Sequence, residues 1–379
     1  MSWELVKLKD VAEVIAGQSP ESKYYNNHKE GIPFFQGKAD FGDQFPTVRY
    51  WCTNPTKISA INDILLSVRA PVGPTNISNT EACIGRGLAA IRVGAKLYYK
   101  YLYYYFKTIE SELAAKGNGS TFSAITTSDV KELRIPLPPL PIQKRIAEIL
   151  DAAVALRRKD QELLNKYDEL AQAIFIDMFG DPVKNEKRWE VKRLNEVCLN
   201  IYGGGTPSKS NPEFYVGNIP WVTPKDMKSD MINDSIDHIN ELAIEKSSTR
   251  IIPKNSVLMV IRSGILKHTL PVAINTEAVA INQDMKAFIP NYRYTNEYFL
   301  RYFLAGSADF LLGKVRAVTA DNIEFQQIRS MEFICPPMKL QESFKHKIKI
   351  LMNIRSKNSI FWGETLFQAV LYGAFRNGL

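Results

Sequence analysis

The chain has 379 residues, 45% apolar and 23% charged, the composition of a globular protein with room for two domains of ordinary size rather than of a disordered or fibrous one. Its 48 basic and 40 acidic side chains leave a net charge of +8, which favours a polyanionic partner and says nothing of the fold. No apolar run is long enough for a transmembrane helix, the first residues carry no apolar signal core, and Cys52, Cys83, Cys198 and Cys335 form no CxxC pair, so reduced thiols in a cytoplasmic protein are expected, with no membrane partner and no metal site.

From the N-terminus onward the chain repeats itself. Trp3-Glu4-Leu5 returns as Trp189-Glu190-Val191, Ile32-Pro33-Phe34 as Ile219-Pro220-Trp221, and the run 62–69 as 255–262. Tyr101-Leu102 returns as Phe299-Leu300, and Pro138-Pro139 with Gln143 as Pro336-Pro337 with Gln341. The separation drifts upward from 186 to 198 residues, as insertions in loops would make it, so one unit of about 190 residues is written twice.

Each copy opens with short strand-like segments bounded by Gly, Pro and Asn, 63–68 and 87–93 in the first and 256–261 and 285–289 in the second. A helix-like stretch interrupts each. In the first copy it holds seven aromatics within 98–106, which core packing explains better than base stacking, because the second copy keeps only a one-sided set. A Pro-rich hinge follows, 136–141 and 335–338, and suits the first turn of a helix.

After the first hinge, apolar residues at 142, 146, 149, 153, 156, 163, 167, 170 and 174 keep a 4-3 spacing with Asp160 as the polar intruder. That spacing predicts a coiled-coil seam, stopped at Phe179-Gly180-Asp181-Pro182. The nearest partner is the noisier helix of the second copy running back. The expected fold is therefore α+β: two similar domains, 1–140 and 181–338, separated by two long antiparallel helices, 141–180 and 339–379, forming a coiled coil with a pseudo-two-fold internal repeat. In that pairing Asp160 falls near Arg355 and Asn358, either as a polar layer that sets register or as a solvated edge residue. Two similar heads on a spacer suit a ligand with two half-sites, duplex DNA first. The charge is uneven, +3 over 1–140, −1 over 141–180, +1 over 181–338 and +5 over 339–379, so each head needs a local basic patch.

The Trp-Glu start, the Ile-Pro-Phe/Trp segment, the strand ending in Arg69 or Arg262, the PPxxxQ hinge and the helix end Ala171-Gln-Ala-Ile-Phe175 with Met178-Phe-Gly-Asp-Pro182 together resemble the DNA-specificity subunit of type I restriction–modification systems, over essentially the whole chain. Each motif is weak alone; their duplication in register is not. The resemblance implies two target-recognition domains that each read one half of an asymmetric bipartite DNA sequence, and a central coiled coil that acts as a ruler. It implies two methyltransferase (modification) subunits docked on this scaffold and restriction (endonuclease and translocase) subunits that join them. S-adenosylmethionine, ATP and Mg would belong to those partners, with no cofactor in this chain. In one departure, Ile142 and Leu340 precede the hinge glutamines where the family often has an acid.

Traces of catalysis are weak. Asn211-Pro212-Glu213-Phe214 lacks the second proline of an amino-methyltransferase tetrapeptide, and Gly203–Ser210 lacks phosphate-loop spacing. We expect no catalytic residue, and a non-catalytic specificity subunit rather than an enzyme. A non-DNA coiled-coil adaptor with two protein-binding heads and a divergent stand-alone methyltransferase are the alternatives.

Candidate DNA contacts come from polar or basic residues on turns. Thr206 and Lys209 on the Gly-rich turn, with Ser19 and Lys23 on its counterpart, suit phosphates. Gln36 and Lys38, matched by Thr223 and Lys225, suit base edges or phosphates. Arg69 and Arg262 end apolar strands, and either grip guanine or form an intradomain salt bridge. Arg86 and Gln283 hold equivalent positions with different chemistry, as two heads with different half-sites would need. Thr121 and Arg316 complete the set from matching polar loops. The basic face of the last helix, with Lys345, Lys347, Lys349 and Lys357, suits spacer phosphates, a partner subunit or plain solvent.

Overall fold

A computed structural model describes residues 3–117, 124–313, 322–357 and 361–376. The chain divides into two compact units, residues 1–162 with 359–379, and residues 163–358. The longer helices are α1 (Tyr99–Thr108), α2 (Leu140–Phe179), α3 (Glu297–Gly306), α4 (Met338–Lys357) and α5 (Phe361–Arg376). No helix among the described residues is long and apolar enough to cross a membrane.

Both units are built from the same three β pieces. A two-stranded clasp joins the Trp-Glu start to the segment before the prolines, Leu5–Lys7 with Arg134–Pro136 and Val191–Arg193 with Glu332–Ile334. An antiparallel sheet follows, in the order Ala12–Ala16, Leu88–Val93, Ile64–Ser67, Thr75–Ile77. In the second unit the order is Cys198–Gly203, Met285–Pro290, Val257–Val260, Val272–Asn275, with Met231–Ile232 added at the edge. A second sheet pairs the Ile-Pro-Phe/Trp strand, Ile32–Phe35 or Ile219–Val222, in parallel with Ala82–Ile84 or Val279–Ile281. The central strands Ile64–Ser67 and Val257–Val260 are buried along their whole length, which their unbroken apolar runs require. Asn62 and Asn255, just before them, both have positive φ, 71° and 63°. Asparagine tolerates that region better than most residues, so the repeated Asn marks the same turn in both copies.

Each core forms where a helix closes the antiparallel sheet. In the first unit Tyr101, Leu102 and Phe106 of α1 pack with Ile64, Leu66 and Ile91 of the sheet and with Ile146 and Leu150 of α2. The aromatic run is thus core, as its one-sided counterpart indicates. In the second unit Phe299, Leu300 and Phe303 of α3 join Val257 and Met259 of the sheet, Phe175 and Phe179 of α2 and Phe344 of α4.

The helices pack in antiparallel pairs within each unit. Arg157 of α2 lies 4.9 Å from the ring of Phe367 in α5, while Phe375 further along α5 reaches Tyr101 beside the start of α2. In the second unit Phe344 near the start of α4 meets Phe175 and Phe179 near the end of α2, and Arg355 near the end of α4 lies 2.9 Å from Asp168. Arg355 also lies 3.7 Å from Asp230, and Asn358, the other residue expected near Asp160, lies outside the described residues. The buried face of α2 is turned by about one residue from the expected seam. Ile146, Ala147, Leu150, Ala153, Leu164, Ala171, Phe175 and Phe179 are buried, while Leu156, Leu163 and Leu170 remain 45%, 38% and 47% exposed.

The hinge glutamine explains the repeated PPxxxQ pattern. Gln143 is fully buried; its Oε1 accepts from the Tyr98 N–H at 2.8 Å and its Nε2 donates to the carbonyls of Lys96 and Pro138. Gln341 does the same with Asn296, Tyr294 and Pro336. One side chain thereby ties the start of each coiled-coil helix to the loop that leads into α1 or α3. At its far end α2 stops at Gly180, whose φ of +79° lets its N–H reach the Ile176 carbonyl at 2.8 Å. The Trp189 indole then donates to the Phe179 carbonyl.

Candidate nucleic-acid interface

In the first unit an open cleft of about 1000 Å³ lies between the loop after Ala12–Ala16 and the loops that end Ile32–Phe35, Ile64–Ser67 and Ala82–Ile84. Five of the expected contact residues, Ser19, Gln36, Lys38, Arg69 and Arg86, line it. Gln36, Lys38, Arg69 and Arg86 are exposed, and the three cations have no ion pair among the described residues. Lys23, on the same loop, is not part of the lining; it pairs with Glu21 at 2.7 Å and stands over the Tyr24 ring. Thr121 and Arg316 lie outside the described residues.

The cleft contains a cation that sequence reasoning missed. Arg49 lines it and donates from Nε and Nη2 to Oδ1 of Asp40, at 2.9 and 2.6 Å. Asp40 is buried, and its other oxygen accepts from the backbone N–H groups of Gln36 and Gly37. The carboxylate therefore fixes the turn that carries Gln36 and Lys38 and holds Arg49 beside it. The useful signal was an aspartate one turn after a buried strand, which needs a donor in reach.

The second unit arranges the matching loops with more internal pairing. Thr206 donates its hydroxyl to Oε1 of Gln283. Arg262 donates to Oδ1 of Asp284, with Nε at 2.6 Å and Nη2 at 2.5 Å, and so forms an intradomain salt bridge. Lys225 lies 2.6 Å from Asp237, which raises its pKa through that hydrogen bond. Thr223, expected at base edges or phosphates, is only 6% exposed, and both its N–H and its hydroxyl donate to Asp226 at 2.8 Å, so it caps a turn. The turn is also shifted by one residue between copies. Gly37 caps with Asp40 in the first and Thr223 with Asp226 in the second, so Lys38 and Lys225 do not hold the same place in it. Lys209 is exposed, with no ion pair among the described residues.

Beneath these differences the two loops that carry Arg86 and Gln283 share one backbone frame. Gly85 N–H donates to the Phe35 carbonyl and Asn282 N–H to that of Val222. The Ile84 carbonyl accepts from Gln18 and that of Ile281 from Gly205. The Gly87 carbonyl accepts from Val68 and that of Asp284 from Ile261. Close approach demands glycine on the facing turn, since a Cβ on Gly17 would lie 2.2 Å from the Gly85 carbonyl oxygen and one on Gly204 2.1 Å from that of Ile281. The Gly-rich turns are thus packing devices first.

A family model for the type I restriction modification DNA specificity domain matches residues 1–166 and again 186–360. The chain belongs to this family. The double match coincides with the internal repeat and explains why one backbone frame occurs twice. A Methanocaldococcus jannaschii protein described as the MjaX specificity subunit of a type I restriction enzyme is 42% identical over 170 residues, which span 43% of this chain and 40% of that one. The MjaIX specificity subunit of the same organism is 27% identical over 379 residues, 92% of this chain and 86% of the relative. The crystal structure of a type I restriction–modification S subunit from M. genitalium shares the fold, with a TM-score of 0.54 at 14% identity over 98% of this chain and 95% of that one.

Proposed function

We propose that this specificity-family chain recognises an asymmetric, two-part sequence in duplex DNA and directs type I methyltransferase and endonuclease subunits to it. The observation that supports this most is the first unit's cleft, where Lys38, Arg69 and Arg86 face solvent without ion pairs beside the exposed amide of Gln36. Unpaired cations on anchored turns suit phosphates, and the amide and guanidinium groups suit base edges. The chain itself is non-catalytic in this reading. S-adenosylmethionine, ATP and Mg belong to two modification subunits and to restriction subunits bound to it, in the cytoplasm.

Duplex binding by the full chain across a salt series tests the reading. Phosphate contact makes the logarithm of affinity fall steeply with that of salt concentration. Lys38→Ala and Arg69→Ala are each expected to reduce that slope by about 1 when they remove one phosphate contact. A flat salt dependence favours the protein-binding adaptor. Methyl transfer by the purified chain alone favours the stand-alone enzyme.

A further inference from the structure

Resting on that DNA reading, we infer that residues 86 and 283 form the base-choosing position of the two units, with Arg86 selecting guanine and Gln283 selecting adenine.

Three pairs of equivalent hydrogen bonds fix the loops 85–87 and 282–284 on the same neighbours, and a fourth, Leu88 N–H to Gly85 and Met285 N–H to Asn282, closes each turn. Both side chains at the centre of the loop are exposed, so packing does not decide their identity. The neighbouring strand-end position is arginine in both units, Arg69 and Arg262, and cannot by its identity make the units read different sequences. Position 86/283 can.

The local hydrogen bonds then match each side chain to one base. Arg86 is held by its backbone, with its N–H donating to the Ser19 hydroxyl at 3.3 Å, and its guanidinium has no acidic partner among the described residues. It offers donors alone, and guanine presents two acceptors, O6 and N7, in the major groove. Gln283 is held by its side chain, because the Thr206 hydroxyl donates to its Oε1. One lone pair of that oxygen and both Nε2 hydrogens remain, so a donor and an acceptor lie on one edge. Adenine presents the complement, the N6 donor and the N7 acceptor. The adjacent Asp284 is occupied by Arg262 and by Asn282, which leaves Gln283 to act alone. Ser19 and Thr206 are positioning residues in this account.

Selection from a random-sequence duplex pool by the full chain tests the assignment, and the wild type is expected to return a two-part motif. Gln283→Arg is expected to convert one adenine of one part to guanine, with a preference of about tenfold to a hundredfold between the two bases. Arg86→Gln is expected to convert one guanine of the other part to adenine, and Gln283→Glu to move the first site from adenine to cytosine. An unchanged motif in all three variants overturns the inference. So does uniform loss of binding by the variants to every sequence, which assigns these residues to affinity rather than to base choice. Retention of no duplex by the wild type overturns the DNA reading itself, and the inference with it.

Discussion

Gln143 and Gln341 show how much one polar side chain decides. Each is completely buried and satisfies a backbone N–H and two carbonyls at the point where a sheet-bearing unit hands the chain to a long helix. Gln143→Leu keeps the volume and leaves a backbone N–H and two carbonyls without their partner, so we expect a loss of about 2 kcal/mol in urea denaturation, with a similar loss for Gln341→Leu. Those glutamines stand out in the sequence because the motif occurs twice. Arg49 does not, because its counterpart 187 residues on is Ile236. In the second unit the Ile236 backbone N–H supplies Asp226 with the donor that the Arg49 side chain supplies to Asp40. The repeat comparison fails where one copy meets a need with a side chain and the other with backbone.

The buried cysteines make stability depend on alkaline pH. Burial pushes the thiols of Cys83 and Cys335 up to about 11 and that of Cys198 to about 12, from an ordinary value of 9.0. The folded state therefore keeps these protons above pH 9 where the unfolded chain releases them, and stability falls as pH rises from about 9 toward 12. Denaturation midpoints should be lower near pH 10 than near pH 8. The same three thiols should resist a thiol reagent near pH 8 until denaturant is added, because the thiolate is the nucleophile.

At the scale of the element, helix α2 was legible in extent and stop and misread in facing. Counting large apolar residues gives weight to Leu156, Leu163 and Leu170, which are exposed, and none to Ala147 and Ala171, which are buried. Helices that approach closely bury small residues on the contact face, and a pattern that counts bulk misses them. The observed facing predicts that Leu150→Ala and Phe175→Ala each cost about 3 kcal/mol or more, while Leu163→Ala costs less than about 1. Thermal or urea denaturation of the three variants checks this. Equal losses would restore the original seam.

For the whole molecule, the bulk charge of +8 proves less informative than how the cations are paired. Arg262 and Lys225 of the second unit are engaged by aspartates, while Lys38, Arg69 and Arg86 of the first are free of ion pairs among the described residues. Exchange of residues 187–336 for the corresponding domain of another family member is expected to change one half-site and leave the other intact, as selection from duplex pools would show. Removing seven residues from α2 and seven from α4 is expected to shorten the preferred spacer with both half-sites kept; an unchanged spacer would refute a ruler role. The duplicated loop frame has a further consequence. Arg86 and Gln283 are exposed, and the backbone hydrogen bonds of their loops do not depend on which side chain stands there, so a substitution at either is expected to cost about 1 kcal/mol or less. The identity of residue 86 or 283 can then change while the frame that positions it stays folded.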